Sequence, residues 1–338
     1  MPLISRRAIT ATALVALRSG LRGATPTRLA VSPKAGPYRT VQQAIDAVRF
    51  EKGGDRPHEI HVPPGTYHER ITVPRDRPFI RLVGEDAQRT ILTYNLSAAT
   101  TAETRYSAST YIFADDFQAE NVTFENTYGV GSQAVAIFIG ADRAVFRHCR
   151  FLGWQDTLYV NGPGCHFVPQ PLAATEASNC PAGRQFFDQC YIEGHVDFVF
   201  GNAAALFRQC QIHSKGPGYV TAQSRTYPAQ TSGFVFESCR LTGENTGSGV
   251  YLGRPWRAYS QVVFRNCALG AHIRPEGWSA WNGNRNHETA YYAEYQSQGP
   301  GARSDGRVPW SHQLTPQEAA RFAPRTFLRG EDGWEPVA

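Results

Sequence analysis

Five times along this 338-residue chain a phenylalanine is followed three residues later by a cysteine: Phe146-Arg147-His148-Cys149, Phe187-Asp188-Gln189-Cys190, Phe207-Arg208-Gln209-Cys210, Phe236-Glu237-Ser238-Cys239 and Phe264-Arg265-Asn266-Cys267. Phe124-Glu125-Asn126-Thr127 is a variant of the same pattern. Counted from Phe124, the intervals are 22, 41, 20, 29 and 28 residues, one unit of about 20 to 22 with insertions. Ahead of the repeats lie short β-rich runs at 60–62, 79–83, 91–94, 111–113 and 122–124, punctuated by Gly, Pro, Asn and Asp. A repeat of this size made of strands and turns specifies an all-β solenoid, in which each coil buries its apolar face on the next. Leucine-rich repeats have a similar period, but the Leu and Asn ladder they need is missing.

In such a solenoid the cysteines stack as an interior ladder. Neighbouring strands stand about 4.8 Å apart, which puts Cys190 and Cys210, one unit apart, within disulfide reach. The commoner role of buried cysteines is that of a small apolar residue. With seven cysteines, at least one thiol stays unpaired within a monomer. No CxxC motif is present to suggest zinc.

The length admits two domains, but all-β architectures of this size often form one, and a single domain over 25–338 is expected. Charged residues make up 19%, with 31 Gly and 22 Pro, a composition of many turns. The net charge of +5 favours a polyanionic partner and admits both nucleic acid and acidic polysaccharide. Residues 1–24 carry Arg6-Arg7, an apolar run over 8–17, then Arg18 and Arg22, the pattern of an export signal too short to span a membrane. That predicts a secreted or periplasmic protein. Thr40 opens an amphipathic helix with Val41, Ala44, Ile45 and Val48 on one face, suited to plugging one end of the solenoid. Thr315-Pro316-Gln317-Glu318 is a capping box that predicts a short helix over 316–322.

Two carboxylates lie in apolar surroundings, Asp197 in the run His195-Val196-Asp197-Phe198-Val199-Phe200-Gly201 and Asp156 in Gly153-Trp154-Gln155-Asp156-Thr157-Leu158-Tyr159. Asp156 follows Phe146 by ten residues and Asp197 follows Phe187 by ten, so they share a phase of the repeat. Their separation of 41 residues fits two coils, with Phe167 marking an extra one, or one coil with 163–182 looped out. The loop is preferred, because Pro169-Gln170-Pro171 and the residues after it are poor strand material, and it sets Cys165 and Cys180 at its neck, within reach of each other. Two like charges on adjacent coils cannot both ionise freely, which splits them into an acid/base and an anion. Arg254 offers a cation for one of them, and Gln155 and Gln133 offer amide donors for an oxyanion. Taken singly, each of these residues has a plainer reading as a turn, cap or surface residue.

The stretches Gly65-Thr66-Tyr67-His68-Glu69, Gln133-Ala134-Val135-Ala136, Gly153 to Tyr159, His195 to Gly201 and Leu252-Gly253-Arg254-Pro255-Trp256 resemble, in order, the five signature motifs of the pectin methylesterases. The similarity runs from about Pro37 to Trp334. It implies a single-stranded right-handed parallel β-helix and a carboxylic ester hydrolase acting on methyl-esterified galacturonate without metal or organic cofactor. It further implies Asp197 as nucleophile, Asp156 as general acid/base and Gln155 and Gln133 as oxyanion donors. Arg254 would hold the nucleophile, with Trp256 and Phe198 at the substrate. Pectin would then be the partner of a monomer, with neither nucleic acid nor membrane involved. Gly65, Tyr67 and Glu69 read as structural, His195 as a weak groove candidate and His148 as exposed. Two alternatives stay open: a pectate lyase or polygalacturonase on the same fold, and a non-enzymatic carbohydrate-binding β-solenoid.

Overall fold

The computed structural model describes residues 28–49, 57–163, 183–247 and 249–337. The expected export signal lies outside them, as do Cys165, Cys180 and nearly all of the expected loop. Among the described residues every strand pairing is parallel and joins one coil to the next. One face is a sheet of eleven strands running from Arg28–Ala30 to His312–Gln313. A sheet of thirteen strands folds over the other two faces, because the long strands Tyr191–Gly201 and Gln211–Gln223 turn the corner between them. The architecture is a right-handed parallel β-helix, as the repeat predicts.

The Phe-x-x-Cys unit is one corner of the coil, and each of its positions has a job. The phenylalanines Phe146, Phe187, Phe207, Phe236 and Phe264 are in register, and their rings stack inside with centroids 5.1, 4.7, 4.6 and 4.4 Å apart. The next residue points outward and alternates in sign from coil to coil, Arg147, Asp188, Arg208, Glu237, Arg265, so that Arg208 pairs with Asp188 and Arg265 with Glu237. The third residue takes a left-handed conformation, with φ of +52° to +54° at His148, Gln189, Gln209, Ser238 and Asn266, and bends the chain. The cysteine then turns back inside. All five ladder cysteines are buried free thiols, Cys190 and Cys210 included. From Cys190 onward each thiol donates a weak hydrogen bond to the phenylalanine carbonyl of the preceding coil, as Cys210 does to Phe187 at 3.5 Å.

The helix Val41–Ala47 covers the first coil, with Val41, Ala44 and Ile45 buried and a Thr40/Gln43 capping box at its start. Glu69 accepts from the Val41 and Gln42 amides at 3.1 Å, and the Tyr67 hydroxyl donates to the Pro63 carbonyl. The Gly65-x-Tyr67-x-Glu69 motif therefore holds this end plug and is structural. At the other end the expected helix is α-helical over Pro316–Ala319 and tightens to a 3-10 turn over Ala320–Phe322. Phe322 and Leu328 pack on the outer side of the eleven-stranded sheet.

Candidate active site

The strand Ala144–Arg147 pairs directly with Arg184–Asp188, and Leu158 lies opposite Val199, so Asp156 and Asp197 stand on the same rung of adjacent coils. The Asp156 amide donates to the Val196 carbonyl at 3.0 Å and ties the two turns together. Both aspartates are left-handed, with φ of +64° and +50°, a conformation that Asp tolerates better than most residues but that still carries strain. This bend aims both carboxyls outward into a groove of about 700 Å³, which is also lined by Gln133, Gln155, Arg254 and Trp256. The two residues are nevertheless only 8% and 6% exposed.

Asp197 and Asp156 differ in their partners. The Arg254 guanidinium donates to both oxygens of Asp197, Nε to Oδ1 at 3.0 Å and Nη2 to Oδ2 at 2.6 Å. It is sandwiched between the rings of Tyr219 and Trp281, whose centroids lie 3.9 and 4.1 Å from the guanidinium carbon. Gly253 makes the approach possible, since a Cβ there would stand 1.9 Å from the Thr221 hydroxyl. Burial raises the Asp197 pKa, and Arg254 works against that rise. Asp156 is driven well above the usual carboxyl range by burial and then by the charge of Asp197, with only a distant offset from Arg254. Burial and the neighbouring charge thus favour the protonated form of Asp156, while the Arg254 fork favours the ionised form of Asp197.

Gln133 and Gln155 also sit on adjacent coils, joined by the Ala134 amide donating to the Gln155 carbonyl at 3.1 Å. Among the described residues neither side-chain amide has a protein partner, which leaves both N–H pairs available in the groove. Trp256 lines it beside Trp281, ring centroids 6.5 Å apart. Phe198 does not belong there. Its ring is fully buried inside the coil, as is the Val199 side chain, so that two consecutive residues point inward after the left-handed turn at Asp197. Gly194 makes room for it, as a Cβ there would come 2.3 Å from the Phe198 Cβ. The groove-facing aromatics of this region are Tyr159 and Phe200, stacked at 4.1 Å. Strand alternation counted from Leu158 and Val199 inward would have found them. His195 packs edge-on against Trp154 rather than lining the groove, and His148 is exposed.

A β-helix presenting two rung-matched buried carboxyls, a guanidinium on one and two carboxamides beside them fits a carboxylic ester hydrolase. The sequence model of the family Pectinesterase matches residues 29–169 and 177–331. Pectinesterase 31 of Arabidopsis thaliana is 39% identical over 308 residues, covering 88% of this chain and 90% of the relative. Among solved structures, pectin methylesterase from carrot superposes with a TM-score of 0.81 at 33% identity, covering 91% of this chain and 95% of that one. The pectin methylesterase of Aspergillus niger gives 0.73 at 31% identity, covering 86% and 91%. The chain belongs to the pectinesterase family. That sets aside the lyase, the polygalacturonase and the non-enzymatic solenoid.

Proposed function

We propose that the protein removes methyl groups from methyl-esterified galacturonate in pectin, with Asp197 as nucleophile and Asp156 as general acid and base. The observation that carries this reading is the asymmetry of the pair, in which Arg254 grips Asp197 while, among the described residues, no cation is paired with Asp156. The Asp197 carboxylate attacks the ester carbonyl carbon, and the oxyanion takes hydrogen bonds from the Gln133 and Gln155 amides. As the tetrahedral species collapses, the C–O bond to the methoxy group breaks and Asp156 gives its proton to the leaving methanol. The product is a mixed anhydride on Asp197. Asp156, now ionised, takes a proton from water, whose oxygen adds to the substrate-derived acyl carbon. Collapse releases the galacturonic acid, which ionises to solvent, and returns both aspartates to their starting states.

The two turns suit Asn as a probe, because Asn occupies left-handed backbone as readily as Asp. Methanol release from highly esterified pectin, with chelator present, is expected from the intact protein and to fall at least about a thousandfold in Asp197→Asn and in Asp156→Asn. An Asp197→Asn variant with most of its activity would overturn the assignment. We also propose that the enzyme is exported and works as a monomer, its coils supplying their own neighbours. Among the described residues no helix is long and apolar enough to cross a membrane.

A further inference from the structure

On the far side of the turn over 254–260 from the catalytic groove lies a separate hollow of about 560 Å³. It is lined by the first residues of the strands Gln261–Arg265 and Tyr291–Tyr295, by the loop over 225–232 and by the C-terminal helical segment around Arg321. Trp256 and Arg257 of the dividing turn face the groove, and Tyr259 faces the hollow. Among the described residues none lines both. The volume falls in the range of small-molecule sites, about 300 to 1,000 Å³.

Two arginines line this hollow, and among the described residues no carboxylate does. Arg225 is half-buried and donates only to neutral acceptors, Nε to the Tyr227 carbonyl at 3.2 Å, Nη1 to the Gln261 amide oxygen at 3.2 Å and Nη2 to the Pro228 carbonyl. A guanidinium carries five N–H groups, so one on Nη1 and one on Nη2 remain. Burial lowers its pKa and no neighbouring charge opposes the shift. Arg184, Arg208, Arg254 and Arg307, also drawn in from the surface, each face a carboxylate instead. Arg321 is exposed, and its charge works against the burial-driven rise of the Tyr291 pKa. Glu318, three residues before it, accepts from the Thr315 amide and hydroxyl as a helix cap, both at 2.8 Å. Among the described residues neither Arg225 nor Arg321 has a carboxylate within ion-pair distance. The hollow therefore gathers two guanidinium charges, one of them partly desolvated without a counter-charge.

We infer that this hollow binds a small acidic sugar, a hexuronate of one or two rings, through its free carboxylate and apart from the catalytic groove. The two remaining N–H groups of Arg225 stand on separate nitrogens and match the two oxygens of a carboxylate, and Arg321 adds a second positive charge. A bound anion would offset the desolvation of Arg225 that the fold leaves uncompensated. Tyr259 brings a ring that no other aromatic stacks on among the described residues, a face suited to a sugar. The ring of Tyr291 is taken up by His312 and Phe322, with centroids 4.9 and 6.0 Å away, which leaves its hydroxyl to offer. The choice of a uronate rests on the pectinesterase reading above, since that reaction exposes the acid and glycosidic cleavage of the de-esterified chain supplies pieces of this size. The anion site itself stands without that reading.

The test is calorimetric titration of the intact protein, Arg225→Gln and Arg321→Gln with digalacturonate, melting temperatures serving to check the fold. Inhibition of methanol release by the same disaccharide reads the groove, whereas the titration reads the groove and the hollow together. The intact protein is expected to show one binding event beyond the one that inhibits. Each substitution should weaken that event at least about tenfold while leaving kcat/KM for esterified pectin and the inhibition constant unchanged. Arg225 also ties down its own loop, so Arg321→Gln, on an exposed side chain, is the deciding variant. An intact protein with no event beyond the groove, or an Arg321→Gln protein that keeps the event at full affinity, overturns the site. Inorganic phosphate that displaces the disaccharide from it at equal concentration would show an unspecific anion site and overturn the sugar assignment. Failure of the pectinesterase reading would look different, with no methanol released by the intact protein, and the titration would still report on Arg225 and Arg321.

Discussion

Arg254 binds Asp197 through two parallel hydrogen bonds while Tyr219 and Trp281 close on the two faces of its guanidinium, so the cation has no freedom to turn toward Asp156. The aromatic sandwich is what makes the choice between the carboxyls permanent. A lysine at this position would supply charge without the fork or the stacking surface. Arg254→Lys is expected to lose about 10- to 100-fold in kcat. Arg254→Met should go further and move the acid limb of kcat/KM to higher pH, because the group that opposes the burial-driven rise of the Asp197 pKa is gone. A pH profile of both variants checks this; an unshifted acid limb in Arg254→Met would mean that Arg254 does not hold the ionisation of Asp197.

Asp156 is raised well above an ordinary carboxyl, so the folded state binds its proton more tightly than the unfolded chain does. Its contribution to stability is intact below the unfolded carboxyl pKa of about 4 and is lost as pH rises through the folded value. Asp156→Asn removes that penalty. The variant should be inactive yet more stable than the parent by about 1 to 2 kcal/mol at neutral pH, with no gain below about pH 4. Thermal melts across that range decide it, and a gain that persists at pH 3 would trace the effect to packing instead of charge.

The cysteine ladder makes a separate prediction. Five of the seven cysteines are buried thiols, each raised in reactivity threshold by the lack of solvent access rather than by any bond. Native protein treated with an aromatic disulfide reagent should titrate no more than two thiols, and denaturation should release the five ladder thiols. Cys190 and Cys210 should remain unlinked under mild oxidation. Finding them cross-linked in the native protein would contradict the ladder.

Much of this was legible before the structure. The Phe-x-x-Cys repeat gave the coil, and the shared phase of Asp156 and Asp197 gave the pair, because a solenoid converts sequence period directly into spatial neighbourhood. What the period cannot carry is the direction of a side chain at a bend. Phe198 is placed at the substrate by the resemblance, yet it lies inside next to Val199, because the chain bends at the left-handed Asp197 and two consecutive side chains then point inward. The sandwich on Arg254 was hidden for another reason. Tyr219 and Trp281 stand 35 residues before and 27 after it, and no spacing rule links them. The sign alternation at Arg147, Asp188, Arg208, Glu237 and Arg265 is written in the sequence at the position after each repeat phenylalanine, but only the pairing of neighbouring coils gives it meaning.

The end of the aromatic stack is the last testable feature. Glu294 occupies the rung after Phe264, where the interior would otherwise meet solvent, and pairs with Arg307 through both oxygens, Nε to Oε1 at 2.6 Å and Nη2 to Oε2 at 3.1 Å. Both side chains are only 3% exposed. The remaining Arg307 donors reach the carbonyls of Arg274, Pro275 and Gly301, so the buried guanidinium is fully satisfied. Removing one partner strands a charge away from water and leaves three carbonyls short. Arg307→Met is therefore expected to cost about 3 to 5 kcal/mol, whereas replacing both as Glu294→Leu and Arg307→Met should cost less than the single change, since no buried charge remains. Denaturant unfolding of the two variants makes the comparison. A double variant no more stable than Arg307→Met would show that the carbonyl contacts, and not the stranded carboxylate, dominate the closure of the coil.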